Sequence, residues 1–209
     1  MKVHIATSRP IGMKCALWYS NSAPIWRGYT EKVKLADVVV SVLYDQLFTE
    51  EFIKSKKAVY NFHPGILPEY RGAGLYSWAI INGEKEFGIT LHKIDAGIDT
   101  GEIIDIRKFP ISENDTAETL KQKGDEALFA MFKHWIHDIV QGKFESIPQG
   151  EGKTYYRKDL DNAKDLTKYV RAFSYQGKEP AYYYDSKNRK HELHYEEIKQ
   201  EQYKYSRRI

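Results

Sequence analysis

The sequence has one cysteine, no apolar run long enough to cross a bilayer and no strong excess of either charge. Cys15 alone can form neither an internal disulfide nor a thiolate metal cluster, which is typical of a reducing compartment. The longest apolar stretch, around residues 36–43, is far shorter than the ~20 residues that span a membrane. Residues 1–8 also lack a signal-peptide apolar region. Lys and Arg number 32 against 29 Asp and Glu, so charge does not favour nucleic acid. We expect a cytoplasmic protein that binds neither membranes nor nucleic acid.

The length and composition are those of one globular domain with a small addition. The chain has 209 residues, of which 42% are hydrophobic and 29% charged, and domains usually hold about 100–200 residues. The pattern changes character after a long amphipathic segment, so we expect a core over residues 1–149 and a small C-terminal extension over residues 150–209.

Periodicity predicts an α/β fold in which strands and helices alternate. Residues 36–43 are nearly continuous and β-branched, as in a strand buried on both faces. Residues 64–74 hold too much Pro and Gly for regular structure, residues 181–185 and 191–195 predict a hairpin, and a charged tail begins at Glu196. The predicted strands are 2–6, 36–43, 58–63, 87–93 and 102–109, and the predicted helices are 11–19, 49–57, 75–82, 116–140 and 165–173.

Asn61 and His63 are the first candidates for chemistry. They lie two apart on a predicted strand, so they share a face, and Pro64 and Gly65 end that strand where open α/β sheets bind ligands. An amide and an imidazole can both donate to the oxyanion of a tetrahedral intermediate, and the imidazole can also move a proton. Taken alone, however, a histidine at a strand end is more often a hydrogen-bonded structural residue.

The loop 95–101 supplies two carboxylates, Asp95 and Asp99, between two predicted strands. Either could pair with His63, favouring its imidazolium form, and spacing does not choose between them. An Asx turn explains the loop equally well when it is taken alone. The histidines show no recognised ligand spacing, so we expect no metal site.

Four further segments are informative when they are taken together: residues 61–72, 82–84, 88–92 and 99–101, which read NFHPGILPEYRG, NGE, GITLH and DTG. Their joint pattern resembles that of the folate-dependent formyltransferases. The resemblance implies a Rossmann-like core with N10-formyltetrahydrofolate as co-substrate. It assigns the catalytic triad to Asn61, His63 and Asp99: the amide and the imidazole stabilise the oxyanion, while the carboxylate orients His63 and helps to remove the ammonium proton.

The resemblance also implies where the two substrates bind. The pterin is held largely by backbone groups, at positions that match Tyr44, Asp45 and Leu47 after the buried strand and Ile94, Asp95 and Ala96 before the catalytic Asp. Trp78, residues 155–159 and residues 171–173 are similar to those of the sugar-nucleotide N-formyltransferases. That similarity implies a nucleotide-linked amino-deoxy sugar as acceptor, with Ser8, Arg9, Trp78 and Tyr155 as substrate-binding residues.

Alternatives remain at this stage. Packing explains the tyrosine-rich stretch as well as base stacking does, and the same triad would support formylation of glycinamide ribonucleotide. The chain is shorter between its first two strands than is usual in the family, which leaves room for a non-catalytic folate- or nucleotide-binding protein. The tRNA enzymes of the family carry an extra C-terminal β-barrel, and the residues after Gln149 are too few to build one, so we expect that the acceptor is not a tRNA. The sequence also leaves open whether the protein forms a homodimer.

Overall fold

The computed structural model describes residues 1–20, 31–157, 159, 166–175, 178, 180–184 and 187–196. The predicted tail beyond Glu196 lies outside these residues, as does part of the predicted hairpin turn. The strands are β1 (Val3–Ala6), β2 (Val38–Val42), β3 (Ala58–His63), β4 (Arg71–Gly72), β5 (Glu86–Lys93), β6 (Ile103–Pro110), β7 (Thr154–Tyr155), β8 (Ala181–Tyr184) and β9 (Lys190–Leu193). The helices are α1 (Pro10–Ser20), α2 (Glu31–Lys34), α3 (Glu50–Lys54), α4 (Leu75–Asn82), α5 (Ala117–Gln141) and α6 (Leu166–Phe173).

The central sheet has the spatial order β1-β2-β3-β5-β6. The first three strands are parallel, whereas β5 runs antiparallel to β3 and β6 antiparallel to β5. Strands β8 and β9 form a separate antiparallel hairpin. The predicted α/β Rossmann-like core with a C-terminal hairpin is therefore confirmed.

Strand β2 lies at the centre of the core, with all five residues buried. Val38, Val40 and Val42 pack in the cluster that includes the apolar side of α5, and Val39 packs on the opposite side of the sheet with Phe52. Full burial of such a side chain contributes about 1.5–3 kcal/mol. This two-sided burial explains why the strand has no polar alternation.

Helix α5 begins and ends where the sequence predicts. The Thr116 side chain accepts a hydrogen bond from the Thr119 N–H, and the Thr119 hydroxyl oxygen accepts one from the Thr116 N–H, which satisfies two of the free donors at the helix start. Gly142 ends the helix with φ +73°, a left-handed conformation that glycine adopts without steric cost. Among the described residues, none of the helices is long and apolar enough to cross a bilayer.

One expectation for the loop after β3 was wrong. Residues 64–74 contain β4, which pairs in parallel with β7, joining Arg71 to Thr154 and Gly72 to Tyr155. Gly72 has φ +97°, and a Cβ there would lie 2.1 Å from the Tyr155 carbonyl oxygen, so the pairing requires glycine. Because the two strands are far apart in the sequence, composition gives no sign of the pair. The boundary at residue 149 stays a prediction, although β4 and β7 connect its two sides.

Candidate active site

Asn61, His63 and Asp99 come together at the end of β3. Asn61 and His63 lie two residues apart at the carboxyl end of β3, so their side chains are on the same face of the strand. The loop between β5 and β6 brings the Asp99 carboxylate to them. Asp99 Oδ1 lies 3.4 Å from His63 Nδ1. Asp99 Oδ2 accepts a hydrogen bond of 2.9 Å from the Gly72 N–H. The residues that the resemblance implied therefore form one cluster.

A fourth side chain, His92, belongs to the same cluster and was not among the predicted site residues. The antiparallel register of β3 and β5 sets His92 directly opposite Asn61. Their Nε2 and Nδ2 atoms are 3.2 Å apart, and His92 Nε2 is 3.6 Å from Asp99 Oδ1. The only sequence signal was its place at the end of the GITLH motif, because the opposing position depends on strand register.

Backbone carbonyls determine which nitrogen of each imidazole carries the proton. His63 Nε2 lies 2.7 Å from the Tyr70 carbonyl oxygen, and His92 Nδ1 lies 2.6 Å from that of Lys93. A carbonyl only accepts, so each of these nitrogens is a donor. In the neutral rings, His92 Nε2 then accepts from the Asn61 amide, and His63 Nδ1 presents a lone pair beside Asp99.

Burial and charge set the protonation of the pair at neutral pH. The His63 side chain is 4% exposed and that of Asp99 is 16% exposed. Burial lowers the pKa of His63 below its ordinary 6.5, with a contribution from His92, and outweighs the opposing effects of Asp99 and the Tyr70 carbonyl. Burial raises the pKa of Asp99, but His63, His92 and the Gly72 N–H together bring it below its ordinary range. The site therefore holds a neutral imidazole beside an ionised carboxylate.

The structure separates the two aspartates of the loop. Asp95 is exposed, and its Oδ1 accepts from the Gly97 N–H at 3.0 Å and the Thr100 hydroxyl at 2.6 Å. This is the Asx turn that the composition of the loop also predicted. The Asp95 carboxylate thus closes its own turn, and Asp99 is the one that reaches His63.

The predicted pterin-facing residues fall into two kinds. Tyr44 and Ile94 pack against one apolar cluster that includes Phe52 and Val59. By contrast, Leu47, which is 82% exposed, is open to solvent, as are Asp95 and Ala96. Backbone groups beside a partly covered apolar surface suit a flat ring with polar edges, so these positions remain our prediction for the pterin.

The predicted substrate residues of the first loop meet Asp45, which was predicted for the co-substrate. Ser8 Oγ accepts from the Asp45 N–H at 3.2 Å, and Arg9 Nη2 lies 3.3 Å from Asp45 Oδ1. The Arg9 and Asp45 side chains are both about half exposed, and such exposed pairs are weak, typically 0–1 kcal/mol. Arg9 can therefore exchange this partner for an anionic ligand at little cost.

Trp78 and Tyr155 pack in one aromatic cluster with Tyr70. The Tyr155 ring lies 4.9 Å from the Tyr70 ring and 5.0 Å from Trp78, measured between centroids. Tyr155 is only 7% exposed, and its hydroxyl accepts from Asn82. In this conformation it has too little accessible surface to stack on a base, whereas the half-buried Trp78 keeps some of its ring accessible.

The cluster also has the atoms of a metal site. One ligand atom each from His63, His92 and Asp99 lie within 4.8 Å of one another, a combination that binds several transition metals. Two of these side chains already have hydrogen-bond donors, because Asn61 donates to His92 and the Gly72 N–H donates to Asp99. The absence of a metal stays our prediction.

The chain is similar in sequence to one known protein family and in structure to several solved proteins. The sequence model of the formyl transferase family matches residues 28–133. Among solved structures, a 4-N formyltransferase from Francisella tularensis is 21% identical with a TM-score of 0.81, covering 92% of this chain and 96% of that one. A sugar N-formyltransferase from Shewanella sp. is 21% identical with a TM-score of 0.77, covering 93% and 96%.

A third structure is that of an N-formyltransferase from Helicobacter canadensis in complex with folinic acid and dTDP-3-aminofucose. It is 24% identical with a TM-score of 0.70, covering 83% of this chain and 80% of that one. At these identities the solved structures establish the shared fold, whereas the sequence model spans half of the chain and contains Asn61, His63 and Asp99. The chain therefore belongs to the formyl transferase family.

Proposed function

We propose that this protein transfers the formyl group of N10-formyltetrahydrofolate to the amine of a nucleotide-linked amino-deoxy sugar. The observation that carries the proposal is the meeting of Asn61, His63 and Asp99 at the end of β3 in a chain of the formyl transferase family. In acyl transfer to an amine, an amide donor can stabilise the oxyanion, and a neutral imidazole beside a carboxylate can take the proton that the amine loses.

His63 is suited to take the proton that the amine must lose. The amine lone pair attacks the formyl carbon, and the new C–N bond leaves a proton in excess on nitrogen. Because Nε2–H is held by the Tyr70 carbonyl, the free lone pair of His63 is on Nδ1, and this atom accepts the proton. The resulting imidazolium lies 3.4 Å from the Asp99 carboxylate, which stabilises it. His63 then returns the proton to N10 of the leaving folate as the bond from N10 to the formyl carbon breaks.

Asn61 is the donor for the oxyanion. Neutral His63 has no proton on Nδ1, so it can donate to the oxyanion only after taking the amine proton. The Asn61 amide has donor hydrogens from the start, one of them directed at His92 Nε2 over 3.2 Å. An amide whose orientation is fixed before the reaction stabilises developing charge without reorganisation.

The proposed acceptor class follows from one related structure and from two accessible side chains. The Helicobacter canadensis enzyme, of the same fold, was crystallised with folinic acid and dTDP-3-aminofucose. In this chain the exposed Arg9 and the half-buried Trp78 are available for a phosphate and a ring, respectively. A nucleotide-linked amino sugar supplies both groups.

The test is a transfer assay with a panel of amines. Purified protein and N10-formyltetrahydrofolate are mixed with dTDP- and UDP-linked 3-amino and 4-amino sugars or with glycinamide ribonucleotide. Product is detected as the mass gain of one CO, and folate turnover by absorbance. We expect transfer to a nucleotide sugar. Transfer to glycinamide ribonucleotide alone would overturn the acceptor class, and folate binding with no transfer would overturn the activity.

Asn61→Ala should slow this transfer about 10²- to 10³-fold, the usual effect of removing one oxyanion donor. Asn114→Ala is the matched control, because Asn114 is exposed between β6 and α5, away from the site. If the two variants turned over equally fast, Asn61 would have no part in the reaction.

A further inference from the structure

The backbone of Asp99 has a conformation that needs support from its surroundings. Its φ is +53°, in the left-handed region that is uncommon for residues other than glycine. Such conformations persist where neighbouring contacts hold them. Since the direction of the carboxylate depends on this backbone, the contacts that hold Asp99 also decide whether it faces His63.

Gln149 supplies those contacts from a segment that follows α5. Its side-chain Nε2 donates to the Asp99 carbonyl oxygen at 3.0 Å and to the Gly101 carbonyl oxygen at 2.6 Å. One amide group thereby joins the two peptide carbonyls on either side of Thr100. The Gln149 side chain is half-buried, so water competes only in part for these bonds.

Arg71 holds the other end of the Gln149 amide. Its Nε and Nη2 lie 3.3 and 2.9 Å from Gln149 Oε1, and Nη2 also donates to the Gly150 carbonyl oxygen at 3.0 Å. The next residue, Gly72, donates its N–H to the Asp99 carboxylate. Strand β4 therefore holds Asp99 twice, at the side chain through Gly72 and at the main chain through Arg71 and Gln149.

We propose that Gln149 is a positioning residue for the transfer reaction, acting with Arg71 to keep the Asp99 carboxylate directed at His63. The proposal rests on the proposed function, because it assigns Gln149 to the same reaction. Gln149 acts only through Asp99, because its amide donates to the Asp99 carbonyl oxygen and not to His63 or to the reacting atoms.

Two substitutions separate this role from simple packing. Gln149→Met keeps the approximate length and volume but removes both donors and the acceptor. Gln149→Glu keeps the acceptor for Arg71 and replaces the amide donors with an oxygen that faces the two carbonyl oxygens. A residue needed only for its volume tolerates both changes, whereas a residue needed for its donors tolerates neither. Gln122→Met is the matched control, since Gln122 is exposed on α5 and contacts Glu118.

The experiment measures kcat, KM and the pKa of His63 in each variant. We expect kcat to fall about 10²-fold in both Gln149 variants, as for an ångström-scale displacement of a catalytic group, and KM to change by less than about threefold. Gln122→Met should keep kcat within about twofold. Asp99 raises the His63 pKa, whereas His92 and burial lower it. Loss of Asp99 alignment should therefore lower the His63 pKa further, as followed by the ring resonances of His63 in NMR.

Normal kcat in Gln149→Met would overturn the proposal, as would a fall in kcat in Gln149→Met with full activity in Gln149→Glu. Circular dichroism establishes whether each variant is folded, and Gln149→Glu decides the question if Gln149→Met does not fold. Should neither fold, the NMR-measured pKa of His63 in Arg71→Lys decides, and an unchanged value would overturn the proposal. Failure of the proposed function is separate, because it would appear in the unaltered protein as folate binding with no transfer to any amine.

Discussion

Replacing Asp99 with asparagine tests the charge interaction at the centre of the site. The substitution keeps size and shape but removes the negative charge beside His63 Nδ1. At the observed 3.4 Å and an effective dielectric constant of about 20, the attraction between the carboxylate and an imidazolium is about 5 kcal/mol. The asparagine dipole and water that enters the site recover part of this. With about 1.4 kcal/mol per factor of ten, we expect kcat to fall about 10²- to 10³-fold.

The assay is steady-state formyl transfer at saturating concentrations of both substrates, with the folded state checked by circular dichroism. Asp37→Asn is the matched control: Asp37 is exposed beside the start of β2, at the opposite end of the strands, where it accepts from the Lys2 N–H. A fall in kcat of less than about fivefold in Asp99→Asn, or an equal fall in Asp37→Asn, would refute the charge argument.

Three further predictions follow from contacts around the same groups. His92→Ala should slow transfer about 5- to 150-fold, because the Asn61 amide loses its acceptor at a cost of about 1–3 kcal/mol, and His92→Gln should recover part of the rate. The acid limb of kcat should have its midpoint below pH 6.5, because burial lowers the pKa of His63 and the reaction uses the neutral ring. Gly72→Ala should lower the free energy of unfolding in urea by about 2–4 kcal/mol, since its Cβ would lie 2.1 Å from the Tyr155 carbonyl oxygen.

Each of these has an outcome that contradicts it. Equal rates in His92→Ala and His92→Gln would show that the acceptor at that position is not needed. A midpoint above pH 6.5 that disappears in His63→Gln would mean that Asp99 outweighs burial at His63. For the glycine, Gly150→Ala is the control, because nothing lies within 4 Å of the Cβ that it would add. Equal unfolding free energies in the two alanine variants would contradict the steric argument.

The sequence predicted the parts of the fold that depend on neighbours along the chain. The buried strand β2 was visible as a β-branched run, and α5 was visible as an amphipathic segment predicted over residues 116–140. These signals are local, because burial on two faces and helical periodicity each determine the residue pattern within a few positions. The family resemblance assigned Asn61, His63 and Asp99 to the site, although spacing alone left Asp95 and Asp99 equivalent.

Tertiary structure decided how those residues are held and which groups join them. His92 faces Asn61 through the register of two antiparallel strands, and Gln149 reaches Asp99 from 50 residues away in the sequence. The Tyr70 carbonyl fixes the proton on His63 through a turn that has no periodic signature. Strand register, a carbonyl's direction and a contact across the chain are properties of packed elements. The sequence alone therefore determined the elements and the reactive side chains, while the packing of those elements determined their protonation and alignment.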